Sequence, residues 1–211
     1  MQYSLFTHGN ALRAENPGNL TALNNFGWGT QIEFRPPIQG QTGDVPTLEN
    51  APGSWFHLPL DSTLTTFRSA TPRLISVTIL FQTINCRIDK VHVYDGAQFL
   101  QEFKSNQFGF HGDFLHSRNA VDIDPGTAPF GAASFINTFK LDKPRPVFSA
   151  IGISFFAYAD VSDFHPARPP FPGSTLVVAG GGAQYHVQSL LEEATSTIFQ
   201  NNPFGTVLGG G

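Results

Sequence analysis

Charge is scarce in this chain. Asp, Glu, Lys and Arg make up 13% of its 211 residues, about half the usual share. The 12 Lys and Arg residues form no run. Binding to nucleic acid needs clustered basic side chains that neutralise phosphates, so nucleic acid is excluded as an expected partner. An anionic membrane surface is excluded for the same reason. Cysteine occurs once, as Cys86, which rules out an internal disulfide. No run of 18 apolar residues occurs, so no membrane span is expected. The opening "MQYSLFTHGNAL" has neither a basic n-region nor a long apolar h-region. No signal peptide is expected, and a reduced, cytoplasmic setting is the default. Secretion by a non-standard route stays compatible with the sequence. Long helical periodicity is missing before residue 183.

What the chain does have is apolar and strand-like. Hydrophobic residues make up 40%, enough to exclude a disordered chain. With 21 Phe, the core is expected to be Phe-rich; 21 Gly and 16 Pro break the chain into short runs. Candidate strands are "QYSLFTH" (2–8), "GTQIEFR" (29–35), "WFHLPL" (55–60), "LISVTILFQT" (74–83) and "RIDKVHVY" (87–94). They continue with "QFLQEF" (98–103), "SFINTFKL" (134–141), "FSAIGISFFAYA" (148–159) and "STLVVAG" (174–180). Such runs between breaks like "ENPGN" and "HPARPPFPG" point to an all-β fold. The expected fold is an antiparallel β-sandwich of jelly-roll or lectin-like type over residues 1–182. A C-terminal amphipathic helix and flexible tail are expected over 183–211. Val187, Leu190, Leu191, Ala194 and Ile198 recur there at helical spacing, and Asn201-Asn202-Pro203 ends the pattern.

In "GSWFHLPL" the period-2 pattern puts Phe56, Leu58 and Leu60 on one face, the expected core, and Trp55 and His57 on the other. In "DKVHVYDGAQFLQEF", Asp95-Gly96 is expected to form a type I′ hairpin turn. His92 and Tyr94 then alternate with the core residues Val91 and Val93. Trp55, His57, His92 and Tyr94, with His8 and Trp28 as further members, form a candidate outward face of aromatic and imidazole rings. Three readings apply: cover by the tail helix or loops, contact with a second copy, or a ligand platform that stacks on sugar rings.

Three other constellations could carry chemistry. His111, Asp113 and His116 in "HGDFLH" are zinc or iron ligand types, although no further spaced pair completes a known motif. Asp122 and Asp124 in "VDIDPGT" could offer oxygen to Ca²⁺, but the full EF-hand pattern is missing. Asp160, Asp163, His165 and Arg168 lie in a Pro-rich segment that could act as a functional loop, without a partnered nucleophile. The bland reading of each is a solvated loop or turn. "AGGGAQ" is not a phosphate loop, because the Lys-Ser/Thr needed at the phosphates is missing.

The motifs "HGN" (8–10), "GWGT" (27–30), "WFHLPL" (55–60) and "VHVYDG" (91–96), with looser "IGISFF" and "AGGG", resemble a bacterial β-sandwich family known as a domain of unknown function. The resemblance spans roughly residues 5–180. It implies a β-sandwich and assigns no activity, substrate or site residue. Residues 104–133 look longer than in that family, and the part after 183 looks added. The expected function is a non-catalytic binding or self-assembly module, a homo-oligomer. The alternatives are a lectin-like module that binds carbohydrate, and a small metal-dependent enzyme using the 111–124 and 160–165 loops. No motif demands a cofactor; Ca or Zn is the ion those loops would take.

Overall fold

The computed structural model describes residues 2–36, 52–60, 72–104, 136–159 and 173–187. Its strands are β1 (Gln2–His8), β2 (Arg13–Ala14), β3 (Leu20–Phe26), β4 (Gly29–Phe34), β5 (Gly53–Pro59) and β6 (Arg73–Ile84). They continue with β7 (Cys86–Asp95), β8 (Gln98–Lys104), β9 (Ile136–Pro146), β10 (Ile151–Ala159) and β11 (Ser174–His186). Among the described residues the only helical segments are two short 3₁₀ turns, Gly9–Ala11 and Pro17–Asn19.

The strands form two antiparallel sheets. The first runs β3-β4-β11-β6-β9, with β1 paired to β11 as well; the second runs β2-β5-β10-β7-β8. From β4 onward the chain changes sheet at every step except the β7–β8 hairpin, which is jelly-roll connectivity. The expected all-β sandwich is therefore present. Phe34, Phe56, Phe81, Phe103, Phe139 and Phe155 are buried between the sheets, as the Phe-rich composition implies. Their rings meet in edge, tilted and stacked pairs: Phe34 with Phe56 at 6.1 Å, Phe56 with Phe155 at 5.5 Å, and Phe103 with Phe139 at 5.5 Å. Burying each ring contributes roughly 1.5–3 kcal/mol relative to exposure. Phe56, Leu58 and Leu60 all point inward.

β11 organises the first sheet. One edge pairs with β6 along its whole length. The other is shared: β4 takes residues 174–178 and β1 takes 180–186. Where the two meet, backbone packs on backbone. A Cβ on Gly9 would lie 2.0 Å from the Val178 carbonyl oxygen, and one on Gly29 (φ +150°) would lie 2.3 Å from it. The "HGN" and "GWGT" motifs thus converge on one peptide of β11. Side chains complete the knot: the Thr30 hydroxyl donates to the Gly9 carbonyl at 3.0 Å, and the Asn10 amide donates to the Phe26 carbonyl at 3.0 Å. His8 Nε2 lies 3.1 Å from the Gly27 carbonyl. "AGGG" is part of β11, where Phe6 lies against Gly182 and Leu58 against Gly181.

Several expectations are corrected. Residues 183–186, assigned from the sequence to the tail helix, are the end of β11. Ala183 and Tyr185 are buried while Gln184 and His186 are only half-buried, which is strand period. A boundary at 182/183 thus falls inside a strand. The rest of the expected helix, from residue 188, lies outside the described residues. The hairpin turn is Gly96-Ala97, since Asp95 pairs with Gln98, and only Gly96 has positive φ (+57°). That is the type II′ pattern, with Gly at the first central position. Asp95 stays in β7, and its carboxylate accepts the amides of Phe148 (2.8 Å) and Ser149 (2.7 Å). This capture holds residues 148–150 out of the sheet, so β10 begins at Ile151 rather than 148. β2 and β3 were not expected. His8 and Trp28 belong to the β1–β3–β4 corner, where Trp28 stacks on Phe26 at 4.9 Å, and not to the Trp55 face.

Two predictions follow from these contacts. Asp95→Ala should cost roughly 1.5–3 kcal/mol, the scale of hydrogen bonds to a charged group, measured by denaturant unfolding. Gly9→Ala forces a methyl into a backbone carbonyl and should cost about 1–3 kcal/mol or more, as overpacking does; Gly18→Ala, where a Cβ meets nothing within 4 Å, serves as the control.

Candidate functional site

The outer face of the second sheet gathers the candidate ring residues. In the central strand β10, Gly152, Ser154 and Phe156 point outward, between inward Ile151, Ile153 and Phe155. Gly152 lies between Pro59 on β5 and Tyr94 on β7; Ser154 between His57 and His92; Phe156 between Trp55 and Lys90. The small residues Gly152, half-buried, and Ser154, 8% exposed, therefore form the floor of a shallow trough along β10. Pro59 and His57 make one wall, Tyr94 and His92 the other. Trp55 reaches across β10 to His92, ring centres 4.6 Å apart, and packs on Phe156 at 5.5 Å. These rings close one end of the trough. Phe99, half exposed, packs edge-on to His92 (5.4 Å) and Tyr94 (5.6 Å) and extends the second wall.

Each imidazole is oriented by a carboxylate. His92 Nε2 lies 2.8 Å from Glu102 Oε2, and its Nδ1 3.3 Å from the Tyr94 hydroxyl. His57 Nε2 lies 3.4 Å from Glu15 Oε2, and its Nδ1 2.8 Å from Ser154 Oγ. A carboxylate only accepts, so the His92 Nε2 that meets Glu102 carries a proton. The His57–Glu15 pair is well exposed, at 45% and 56% of the side chains, so it adds little stability. His92 is more enclosed, at 18%. The hydrogen bond from His92, then that from Lys104, lowers the pKa of Glu102 below the ordinary carboxylate value. Lys104 Nζ lies 3.1 Å from Glu102 Oε1.

Ser154, His57 and Glu15 form a hydroxyl–imidazole–carboxylate series. Such a series can move a proton, but acyl transfer also needs donors aimed at a developing oxyanion. The backbone of β10 is paired to β5 on one side and β7 on the other, so this strand has no amides to spare for that role. The arrangement suits holding a ligand hydroxyl better than attacking a carbonyl.

Trp55, His57, His92 and Tyr94 come together on one face, as their alternation implied. Ser154, Gly152, Phe156, Glu15, Glu102 and Phe99 were missed. The pairing of β7 with β8 around a two-residue turn offered a local signal for Glu102 and Phe99; Glu15 and Ser154 had none. His111, Asp113, His116, Asp122 and Asp124, and also Asp160, Asp163, His165 and Arg168, lie outside the described residues. Among the described residues no group of three or more His, Cys, Asp or Glu side chains could hold a metal ion, and no helix is long and apolar enough to cross a membrane. No protein-family model matches the chain, and no curated protein matches it.

The lowered pKa of Glu102 sets the sign of a pH effect. Its ionised form is favoured by folding, so the stabilisation is full above the ordinary value of 4.5 and is lost as pH falls through the lowered one. The melting-temperature gap between wild type and Glu102→Gln should be constant just above that value and close on further acidification. Thermal melts of both proteins across the acid range check this.

Proposed function

We propose that the protein is a non-catalytic, lectin-like binding module whose trough on the outer face of the second sheet takes a sugar ring. The observation that carries this reading is the pairing of aromatic walls with oriented polar groups over a floor of Gly152 and Ser154. Trp55 and Phe156 offer flat apolar faces to the C–H face of a pyranose. Glu15, Glu102 and Tyr94 are hydrogen-bonding partners for its hydroxyls, and carboxylates are strong acceptors. The low charge of the chain suits a neutral ligand. Kinship with the bacterial β-sandwich family is part of the same proposal. Its "WFHLPL" and "VHVYDG" motifs supply the two walls, and "HGN" and "GWGT" the corner that braces the first sheet.

An enzyme reading would rest on the segments outside the described residues.

A glycan array followed by titration calorimetry tests the proposal. Trp55→Ala should weaken binding by roughly ten-fold, the scale of one lost stacking contact of ~1.5 kcal/mol. Gly152→Leu is the sharper variant. A Cβ there meets only Tyr94 Cβ, at 3.9 Å, so the side chain can fill the trough without a backbone clash. It should abolish binding while the melting temperature holds. Absence of any glycan ligand, or binding that survives Gly152→Leu, overturns the reading.

A further inference from the structure

One imidazole in the trough wall touches a carboxylate, a phenol and an indole at once. His92 lies in β7, between β10 and β8, and its side chain is 18% exposed. β8 presents Glu102, whose Oε2 lies 2.8 Å from His92 Nε2, and Lys104, which meets the other oxygen of that carboxylate at 3.1 Å. β7 itself contributes the Tyr94 hydroxyl, 3.3 Å from Nδ1, and Lys90, which lies 3.8 Å from Asp89. β10 faces His92 with Ser154, a neutral hydroxyl bonded to His57. β5 sends Trp55 across to the imidazole and carries His57, beside Glu15, on the far side of Ser154. Phe99 packs edge-on at 5.4 Å.

These contacts give the two charge states of the ring different hydrogen bonds. Glu102 accepts from Nε2 in both. In the neutral ring Nδ1 has only a lone pair, so the Tyr94 hydroxyl donates to it. Tyr94 then offers the trough lone pairs alone. In the imidazolium Nδ1 carries a second proton and donates to the Tyr94 oxygen. The phenol proton is released from that bond and becomes a donor towards the trough. The same change pairs the ring with Glu102 as ion to ion. It also puts a positive charge beside Trp55, with ring centres 4.6 Å apart; a cation within about 6 Å of an indole centroid is attracted to it.

We infer that His92 is a pH switch for the trough: gain of one proton from solvent reverses its hydrogen bond to Tyr94, adds a donor to the second wall and clamps the ring between Glu102 and Trp55. Imidazole is the side chain suited to this, since its charge changes in the neutral to mildly acid range. The lowered pKa of Glu102, due first to His92, is the other half of the same coupling. His57 is not equivalent. Its Glu15 contact is longer, at 3.4 Å, and more exposed, and the ring partners of Trp55 among the described residues are His92 and Phe156. The switch is a property of the wall without ligand; its use, pH-dependent binding, rests on the sugar-binding proposal.

Two ligand-free measurements on the full chain test the inference. An imidazolium in contact with an indole quenches its fluorescence far more than the neutral ring does. Trp28 and Trp55 are the two tryptophans, so Trp28→Phe leaves Trp55 as the reporter. Its emission should fall in one sigmoidal step as pH is lowered from about 8 to about 5. The step should be lost in His92→Gln, persist in His57→Gln, and move to lower pH in Glu102→Gln, which no longer favours the cation. Circular dichroism checks that each variant is folded. In the wild-type chain, nitrogen-15 spectra of the imidazoles should show His92 with Nε2 protonated and Nδ1 bare above the step, and both protonated below it. No step, a step that survives His92→Gln or ignores Glu102→Gln, or a protonated Nδ1 above it overturns the inference. The glycan array decides the sugar-binding proposal separately, because neither measurement here contains a sugar.

Discussion

The sharing of one edge of β11 between β4 and β1 is the constraint on which the first sheet depends. Two strands can meet end to end along a third only if nothing fills the junction. Gly9 and Gly29 both sit on the Val178 carbonyl, at distances no side chain tolerates. Once that contact is made, the corner closes through Thr30, Asn10 and His8. β1 is then held along β11, and Ile32, Leu176 and Val178 are buried in the core. The glycine-rich run that could suggest a phosphate loop is a packing device instead.

The second sheet obeys a complementary rule. Its central strand β10 is large inside and small outside: Ile151, Ile153 and Phe155 fill the core, while Gly152 and Ser154 face out. Neighbouring side chains from β5 and β7 therefore stand above the floor and lean across it, as Trp55 does towards His92. The carboxylates of Glu15 and Glu102 arrive from the flanks and lie beside the two imidazoles. A flat sheet face becomes a shaped one through this size pattern alone, without a long loop.

Much of this was legible in the sequence where a local pattern sufficed. Nine strands were recognised from alternation or from buried apolar runs, and Trp55, His57, His92 and Tyr94 were correctly placed as outward residues. β3 was missed because "LTALNNF" has too little apolar contrast to signal a strand; its pairing with β4 supplies what its composition does not. The Asp95-Gly96 dipeptide pointed to the right hairpin with the turn one residue early. The Asp95 carboxylate captures two amides more than fifty residues away, which keeps Asp95 in the strand. Helical spacing was read across 183–200, yet Ala183 to His186 follow the strand period, because pairing with β1 and β6 outweighs a weak pattern at its end.

The sequence alone determined the fold class, the Phe-rich core, the single cysteine and the ring residues of the outer face. All of these depend on composition or on period, which neighbouring residues carry. Only the tertiary structure decided that Ser154 lies between two imidazoles, and that Glu15 and Glu102 sit beside them. Those facts belong to pairs of strands. Ser154 and His57 are 97 residues apart, and no local pattern specifies which strands will be neighbours; that is settled by burying two apolar faces at once under the connectivity of a jelly roll.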